Sequence, residues 1–218
     1  MVPIEFNPSA TAADGPVLLV VDDALADPHA VAAAARELAK PLAHPKDFYP
    51  GVRYPLPEEF HQRFATWLSG LLGKQVLSER NGFVSMVTTP AAALLPIQTI
   101  PHFDTTDEEI WAAVLYLFEG GFGGTSFYRH RATGIELLTR QNEPLYRSAL
   151  RRDVADPAAV PRRYMNGDTP HFERIHRQEP RFNRLILYPG RRLHAGDIEP
   201  DFTGSEGRLT ITALFRLK

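Results

Sequence analysis

Two amphipathic helical segments near the start, followed by six short apolar strands divided by glycine and proline turns, predict an α+β chain that is mainly β. The strand-rich part reads as a jelly-roll-type double sheet with the N-terminal helices packed on one outer face. Nineteen prolines and fifteen glycines among 218 residues argue the same way, for many short elements and against a helical bundle.

Residues 1–15 read as a loose leader, and 16–21 (Pro-Val-Leu-Leu-Val-Val) as a buried strand. Asp27-Pro28 opens the first helix, with aspartate as N-cap and proline at the first helical position. The alanine-rich segment Val31–Lys40 continues it and Pro41 ends it. Pro41 to Pro57, rich in proline and aromatics, reads as an irregular connection. Pro57-Glu58-Glu59 starts the second helix, which carries Phe60, Phe64, Trp67, Leu68, Leu71 and Leu72 as one core-facing stripe and closes at Gly73. Strands are expected over 83–89, 98–100, 112–118, 125–130, 184–188 and 209–217, with turns at Gly120-Gly121, Gly123-Gly124, Asn166-Gly167, Pro189-Gly190 and Gly204.

A formal charge of -2 gives no generalised attraction to nucleic acid or membranes. With no cysteine, disulfides, zinc–thiolate sites, iron–sulfur clusters and thiol nucleophiles are excluded, leaving histidine and carboxylate as the strong metal ligands. The first 16 residues lack a secretory signal pattern, and no apolar run approaches the ~20 residues of a membrane span. The expectation is a soluble, cytoplasmic protein forming one domain over 1–218. Charge is uneven: Arg140 to Arg192 holds twelve arginines against six acids, so +6 there faces -8 elsewhere. That block, centred on an arginine-rich insert at 140–183 that is helical in part (Pro144 to Arg152), reads either as a solvated face or as a lid attracting an anionic substrate.

The chemistry centres on Pro101-His102-Phe103-Asp104. A histidine and a carboxylate two apart on a strand project to one face, and a second histidine would complete the ligand set of non-haem Fe(II) oxygenases. About 0.4 such His-x-Asp pairs arise by chance in this composition, so context decides. Downstream, a strand and Pro-Gly turn lead to His194, and Arg208-Leu209-Thr210 opens the last strand with Arg208, Thr210 and Thr212 on one face. A buried arginine is costly unless it meets an anion, and its planar fork suits a carboxylate. His130, His171 and His176 are rivals for the third ligand, but His130 is flanked by Arg129 and Arg131, and the other two fall in the arginine-rich stretch. Arg131-Ala132-Thr133 repeats the Arg-x-Thr spacing but precedes His194, and the acids of 106–109 read as a loop or helix start. Asp197 is a candidate partner for His194.

His102-x-Asp104, then His194, then Arg208-x-Thr210 resembles the Fe(II)/2-oxoglutarate-dependent oxygenase superfamily. Tyr116-Leu117-Phe118, Gly120-Gly121 and Gly123-Gly124-Thr125-Ser126-Phe127 resemble its prolyl-hydroxylase-like branch, as does the opening Val20-Val21-Asp22-Asp23-Ala24-Leu25. Phe118 stands where asparagine is usual, and the arginine-rich stretch is a second departure. The resemblance implies a double-stranded β-helix (jelly roll) and an iron site of His102, Asp104 and His194. It also implies 2-oxoglutarate chelating the metal with its distal carboxylate on Arg208 beside Thr210, O2 as oxidant, and hydroxylation coupled to formation of succinate. Tyr116 either hydrogen-bonds a 2-oxoglutarate carboxylate or packs as strand core. The substrate would be a small molecule, amino acid or peptide, anionic if the arginine-rich block forms a lid. A cupin-like enzyme without 2-oxoglutarate and a non-catalytic ligand-binding barrel are the alternatives; a cupin's His-x-His cluster is absent.

Overall fold

The computed structural model describes residues 4–15, 17–38, 48–155, 162–198 and 207–218. Among them the chain is mainly β, with three α-helices and two antiparallel sheets. The strands are β1 (Ala12–Asp14), β2 (Leu19–Val21), β3 (Gly51–Pro55), β4 (Val76–Val87), β5 (Ile110–Tyr116), β6 (Thr125–His130), β7 (Phe172–Gln178), β8 (Leu185–Pro189), β9 (His194–Gly196) and β10 (Leu209–Leu217). Helices α1 (Pro28–Leu38), α2 (Glu58–Leu72) and α3 (Glu143–Asp153) complete the set. The larger sheet runs β1-β2-β8-β5-β10-β4-β3 and the smaller runs β7-β6-β9.

Both N-terminal helices start for local reasons. The Asp27 carboxylate accepts the Ala30 N–H at 3.0 Å, capping α1. Pro57, Glu58 and Glu59 open α2, and Gly73 ends it in the left-handed region at φ 61. The expected last residues of α1, 39–40, lie outside the described residues, as does the turn at Gly204. The α2 stripe buries Phe60, Phe64 and Leu68, each worth about 1.5–3 kcal/mol of apolar transfer. It meets the face of the larger sheet formed by Ala113, Leu115, Leu185, Leu187, Leu209, Ile211, Ala213 and Phe215. The alternate residues, Ala112, Val114, Tyr116, Ile186 and Tyr188, point the other way and meet Phe127 of the smaller sheet. The candidate site lies on that inner side.

Several elements differ from the sequence reading. Residues 98–100 do not form a strand: Pro96–Thr99 is a 3-10 turn, closed by Thr99 Oγ1 on the Pro96 carbonyl and by Gln98 Oε1 accepting the Leu95 N–H. The leader is not loose, because β1 pairs with β2, Ile4 is buried and Phe6 stacks on Trp67 at 4.7 Å. β3 lies inside the supposed irregular connection. The arginine-rich stretch carries α3, packed through Tyr146 and Ala149, and β7, which pairs along β6.

Asn183, at φ 64, is a buried clamp between the N-terminal segment and the larger sheet. Its side chain accepts the Leu25 N–H at 2.8 Å and donates to the Leu25 carbonyl at 3.0 Å. Asn183→Ala leaves both Leu25 groups unpaired in a buried place and loses a residue that tolerates positive φ. Urea unfolding should show a loss of about 2–4 kcal/mol.

Arg184 grips Asp22 with two bonds of 2.7 and 3.0 Å, and Arg181 reaches the same carboxylate at 3.0 Å. The Arg184 hydrogen bond holds the Asp22 carboxyl below its usual 3.8, despite the opposing effect of burial. A depressed carboxyl stabilises the fold above its unfolded value and loses that contribution as pH falls through the folded one. Asp22→Asn should therefore lower stability at neutral pH and flatten its decline below pH 3.8, read from urea midpoints across an acid series.

Candidate metal centre

Backbone pairing brings the two histidines together. His102 and His194 face each other as an isolated antiparallel bridge, exchanging N–H···O bonds of 2.9 and 2.8 Å. Opposed residues of such a pair share one face, and the two rings lie 4.2 Å apart between centroids. Asp104, two residues beyond His102, is fixed by its N–H on the Gly190 carbonyl at 2.8 Å. The Asp104 carboxylate stands 3.8 Å from His194 Nε2. One ligand atom from each of His102, Asp104 and His194 falls within 4.8 Å of the other two.

The protonation pattern suits a cation. His194 Nδ1 lies 2.8 Å from the Arg192 carbonyl, an acceptor only, so Nδ1 carries a proton and Nε2 is the ring nitrogen that faces Asp104. Solvent reaches His102 and Asp104 through the cavity, yet protein crowds both. That crowding, then His194 and Arg53, holds His102 well below the usual histidine range, so it is neutral. Crowding also raises the Asp104 carboxyl, with His194 and Arg53 opposing. Two imidazoles and one carboxylate gathered this closely match the donor set of a divalent 2-His-1-carboxylate site. The three residues therefore fit a metal, and they open into a cavity of about 440 Å³.

Arg208 lines the same cavity and is buried. Its Nε donates to the Gly123 carbonyl at 3.1 Å and one terminal nitrogen donates to the Gly124 carbonyl at 2.7 Å. Among the described residues it pairs with no carboxylate. Thr210 Oγ1 donates to the Ser85 carbonyl at 3.4 Å and lines the cavity wall. The Tyr116 hydroxyl, fully buried, donates to Thr125 Oγ1 at 2.8 Å, and burial pushes its pKa up to about 12. Arg208 approaches the same Thr125 oxygen at 3.5 Å. With donors on that oxygen, the Thr125 proton is directed elsewhere, and Thr125 lines the cavity. Thr125 stands in the sequence motif after Gly123-Gly124, but its spacing alone gives it no role.

The remaining candidates fall elsewhere. Asp197 does not support His194: its carboxylate accepts from Ser126 at 2.8 Å and Arg177 at 2.9 Å, while the Arg192 carbonyl holds the histidine. His130 lies between Thr133 and Asp153 at 2.8 and 2.7 Å, and His171 stands 3.5 Å from Asp153. His176 packs against Phe127, 6.0 Å between ring centroids. Asp107 and Glu109 form an acidic loop that binds Arg216.

The chain is thus a mainly β protein of antiparallel sheets with a His-Asp-His cluster facing a cavity. It belongs to a family of unknown function, DUF6445, whose model matches residues 4–215. No curated protein matches it. Similar solved structures include AviO1 from Streptomyces viridochromogenes Tue57, at 12% identity and TM-score 0.45 over 88% of this chain and 85% of that one. Another is SnoN, a non-heme alpha-ketoglutarate-dependent epimerase from nogalamycin biosynthesis, at 13% and 0.35 over 95% and 67%. At these scores neither likeness assigns chemistry to this chain. Among the described residues no helix is long and apolar enough to cross a membrane.

Proposed function

We propose that this chain is an Fe(II)/2-oxoglutarate-dependent oxygenase that hydroxylates a small-molecule or peptidyl substrate while 2-oxoglutarate is decarboxylated to succinate. The observation that carries it is the His102–Asp104–His194 cluster sharing one cavity with a buried arginine that has no carboxylate partner among the described residues. Strand order supports the reading: β4-β10-β5-β8 lie side by side in one sheet and the His102 bridge, β9, β6 and β7 in the other, the order that the two four-strand halves of a single-domain double-stranded β-helix would take.

His102, Asp104 and His194 would hold the iron. Bound iron supplies O2 activation coupled to cosubstrate decarboxylation, chemistry that no side chain offers. Protein groups orient and exclude. The Arg192 carbonyl keeps the His194 lone pair aimed inward, and the Gly190 carbonyl fixes Asp104 beside it. Gly123 and Gly124 hold the Arg208 guanidinium in place for the distal carboxylate of 2-oxoglutarate, with Thr125 offering a proton to the same anion. Tyr116 positions Thr125 and remains a phenol throughout the physiological range. Phe118 beside Arg208, 5.7 Å from ring centroid to guanidinium carbon, adds an apolar wall that keeps water from the ion pair.

Aerobic incubation with Fe(II), ascorbate and isotopically labelled 2-oxoglutarate should release labelled succinate above a protein-free control, even without substrate. Asp104→Ala should reduce the release to background. Iron-loaded protein that forms no succinate, with or without a metabolite panel, would contradict the proposal.

A further inference from the structure

We propose that the part of the cavity beyond the metal and cosubstrate residues is an apolar clamp, and that its occupant is a small substrate presenting an apolar chain or ring to Phe48, Ile97 and Tyr164; calling that occupant the substrate rests on the function proposed above. The lining divides by chemistry. His102, Asp104, His194, Arg208, Thr125 and Thr210 make up its polar part. Val87, Tyr164 and Ile198, together with Leu94, form a hydrophobic cluster of their own, and Tyr49 packs against it. Of these, Tyr49, Val87, Tyr164 and Ile198 line the cavity. The Tyr164 hydroxyl donates to the Thr89 carbonyl at 2.6 Å, so its ring and not its oxygen is left for a ligand.

This wall meets solvent at a rim that is itself apolar. Phe48 and Ile97 line the cavity while 65% and 49% exposed, and Leu95, 50% exposed, stands two residues from Ile97. Exposed apolar side chains are common singly, but these three are held together. Gln98 donates through Nε2 to the Phe48 carbonyl at 3.0 Å and accepts the Leu95 N–H at 2.7 Å through Oε1. One side chain thus ties the 3-10 turn that carries Ile97 to the backbone of Phe48. A fixed apolar rim continuous with a ligand cavity suits a ligand that brings apolar surface of its own. Because the same cavity holds the metal cluster, a molecule lying across the rim extends toward the reacting centre.

Charge and size narrow the class further. Besides the histidines, three charged side chains line the cavity among the described residues, and each is engaged. Asp104 belongs to the metal cluster, and Gly123 and Gly124 hold Arg208 for the cosubstrate. The Arg53 guanidinium lies between the rings of Tyr49 and Phe83, at 4.5 and 4.7 Å from their centroids. A cavity of about 440 Å³, shared with 2-oxoglutarate, is near the small end of ligand pockets and favours a small molecule over a peptide.

The test uses 1-butanol, 1-hexanol and 1-octanol, neutral probes that differ only in apolar length. Dissociation constants are read by saturation-transfer NMR on the full chain loaded with zinc and 2-oxoglutarate. 1-Octanol should bind at least about tenfold more tightly than 1-butanol, since each buried methylene contributes about fourfold. Phe48→Ser and Ile97→Ser, both at exposed side chains that the fold tolerates losing, should each cut that contrast to about threefold or less and leave 2-oxoglutarate affinity unchanged. Leu145→Ser removes a comparably exposed side chain from α3, outside the cavity lining, and should leave the contrast intact. A contrast below about tenfold in the natural sequence, one that stays above about threefold in both rim variants, or one lost equally in Leu145→Ser would overturn the inference. So would 1-octanol that displaces 2-oxoglutarate, which would put the chain in the polar part. A dimer in sedimentation that Phe48→Ser dissolves would assign the rim to a second copy of the chain and overturn it as well. Protein that takes up neither zinc nor 2-oxoglutarate would count against the proposed function instead, and the alcohol series on that protein still decides whether the clamp exists.

Discussion

Asp104→Ala should weaken divalent-metal binding by at least about 100-fold, beyond the loss that removing a supporting residue around a metal site produces. The carboxylate is the one anionic donor of the cluster, and only two imidazoles remain without it. His194→Ala should have a similar effect for a second reason. It deletes a ligand and frees the Arg192 carbonyl that sets its tautomer. His130→Ala is the contrast. That ring is held by Thr133 and Asp153, away from the cluster, so the variant should cost stability and leave metal affinity unchanged. Anaerobic calorimetry with Fe(II), or with Mn(II) in air, reads all three.

Gly123→Ala should destabilise the fold by about 3–5 kcal/mol, in the range reserved for residues with a special backbone requirement. Gly123 sits at φ 80, where a side chain is strained, and an added Cβ would overlap the backbone carbonyl of Asp197. Relief needs the β6 start and the end of β9 to separate, breaking the 3.1 Å bond from the Asp197 N–H to the Gly124 carbonyl. Because Gly123 and Gly124 also hold Arg208, the same shift should weaken 2-oxoglutarate in whatever fraction stays folded. Gly121 is two residues earlier with nothing within 4 Å of its Cβ position, and Gly121→Ala should change the unfolding midpoint little. Guanidinium unfolding of the pair separates a backbone requirement from a general effect of the loop.

Much of the scaffold was legible because pattern and packing agree. The α2 stripe, its glycine stop, and the strands ending at His130 and Leu217 follow from periodicity and turn chemistry that tertiary contacts reinforce. On β10 the inward set keeps its alternation as it turns apolar, with Thr210, Thr212 and Leu214 all lining the cavity. An irregularity belongs to the partner strand, where a bulge sets Phe215 against Ser78 after Leu214 against Asn81, with Arg80 at φ 54.

What escaped was decided by partners remote in sequence. β3 is an edge strand that ends in proline, and β7 is an edge strand of mostly polar residues interrupted by a bulge at Phe127/Tyr128, so neither alternates cleanly. Charge alone left both a solvated face and an anion-attracting lid open for 140–192. Of its arginines, Arg177 is tied to Asp197, Arg181 and Arg184 to Asp22, and Arg192 to Glu136, acids that lie outside the stretch. Residue spacing brought out His102, Asp104, His194 and Arg208, which the fold gathers around one cavity. It gave no role to Thr125, whose place beside Tyr116 and Arg208 depends on which strands face each other.

The most direct test of the central claim is an anaerobic titration of the iron-loaded protein with 2-oxoglutarate, followed by the weak visible metal-to-ligand charge-transfer band. The band should appear with the natural sequence, and Arg208→Gln should need at least about 30-fold more cosubstrate to reach it, the consequence of removing one partner of a buried charge pair. Iron that binds without producing the band, or a band reached at the same concentration in Arg208→Gln, would contradict the account.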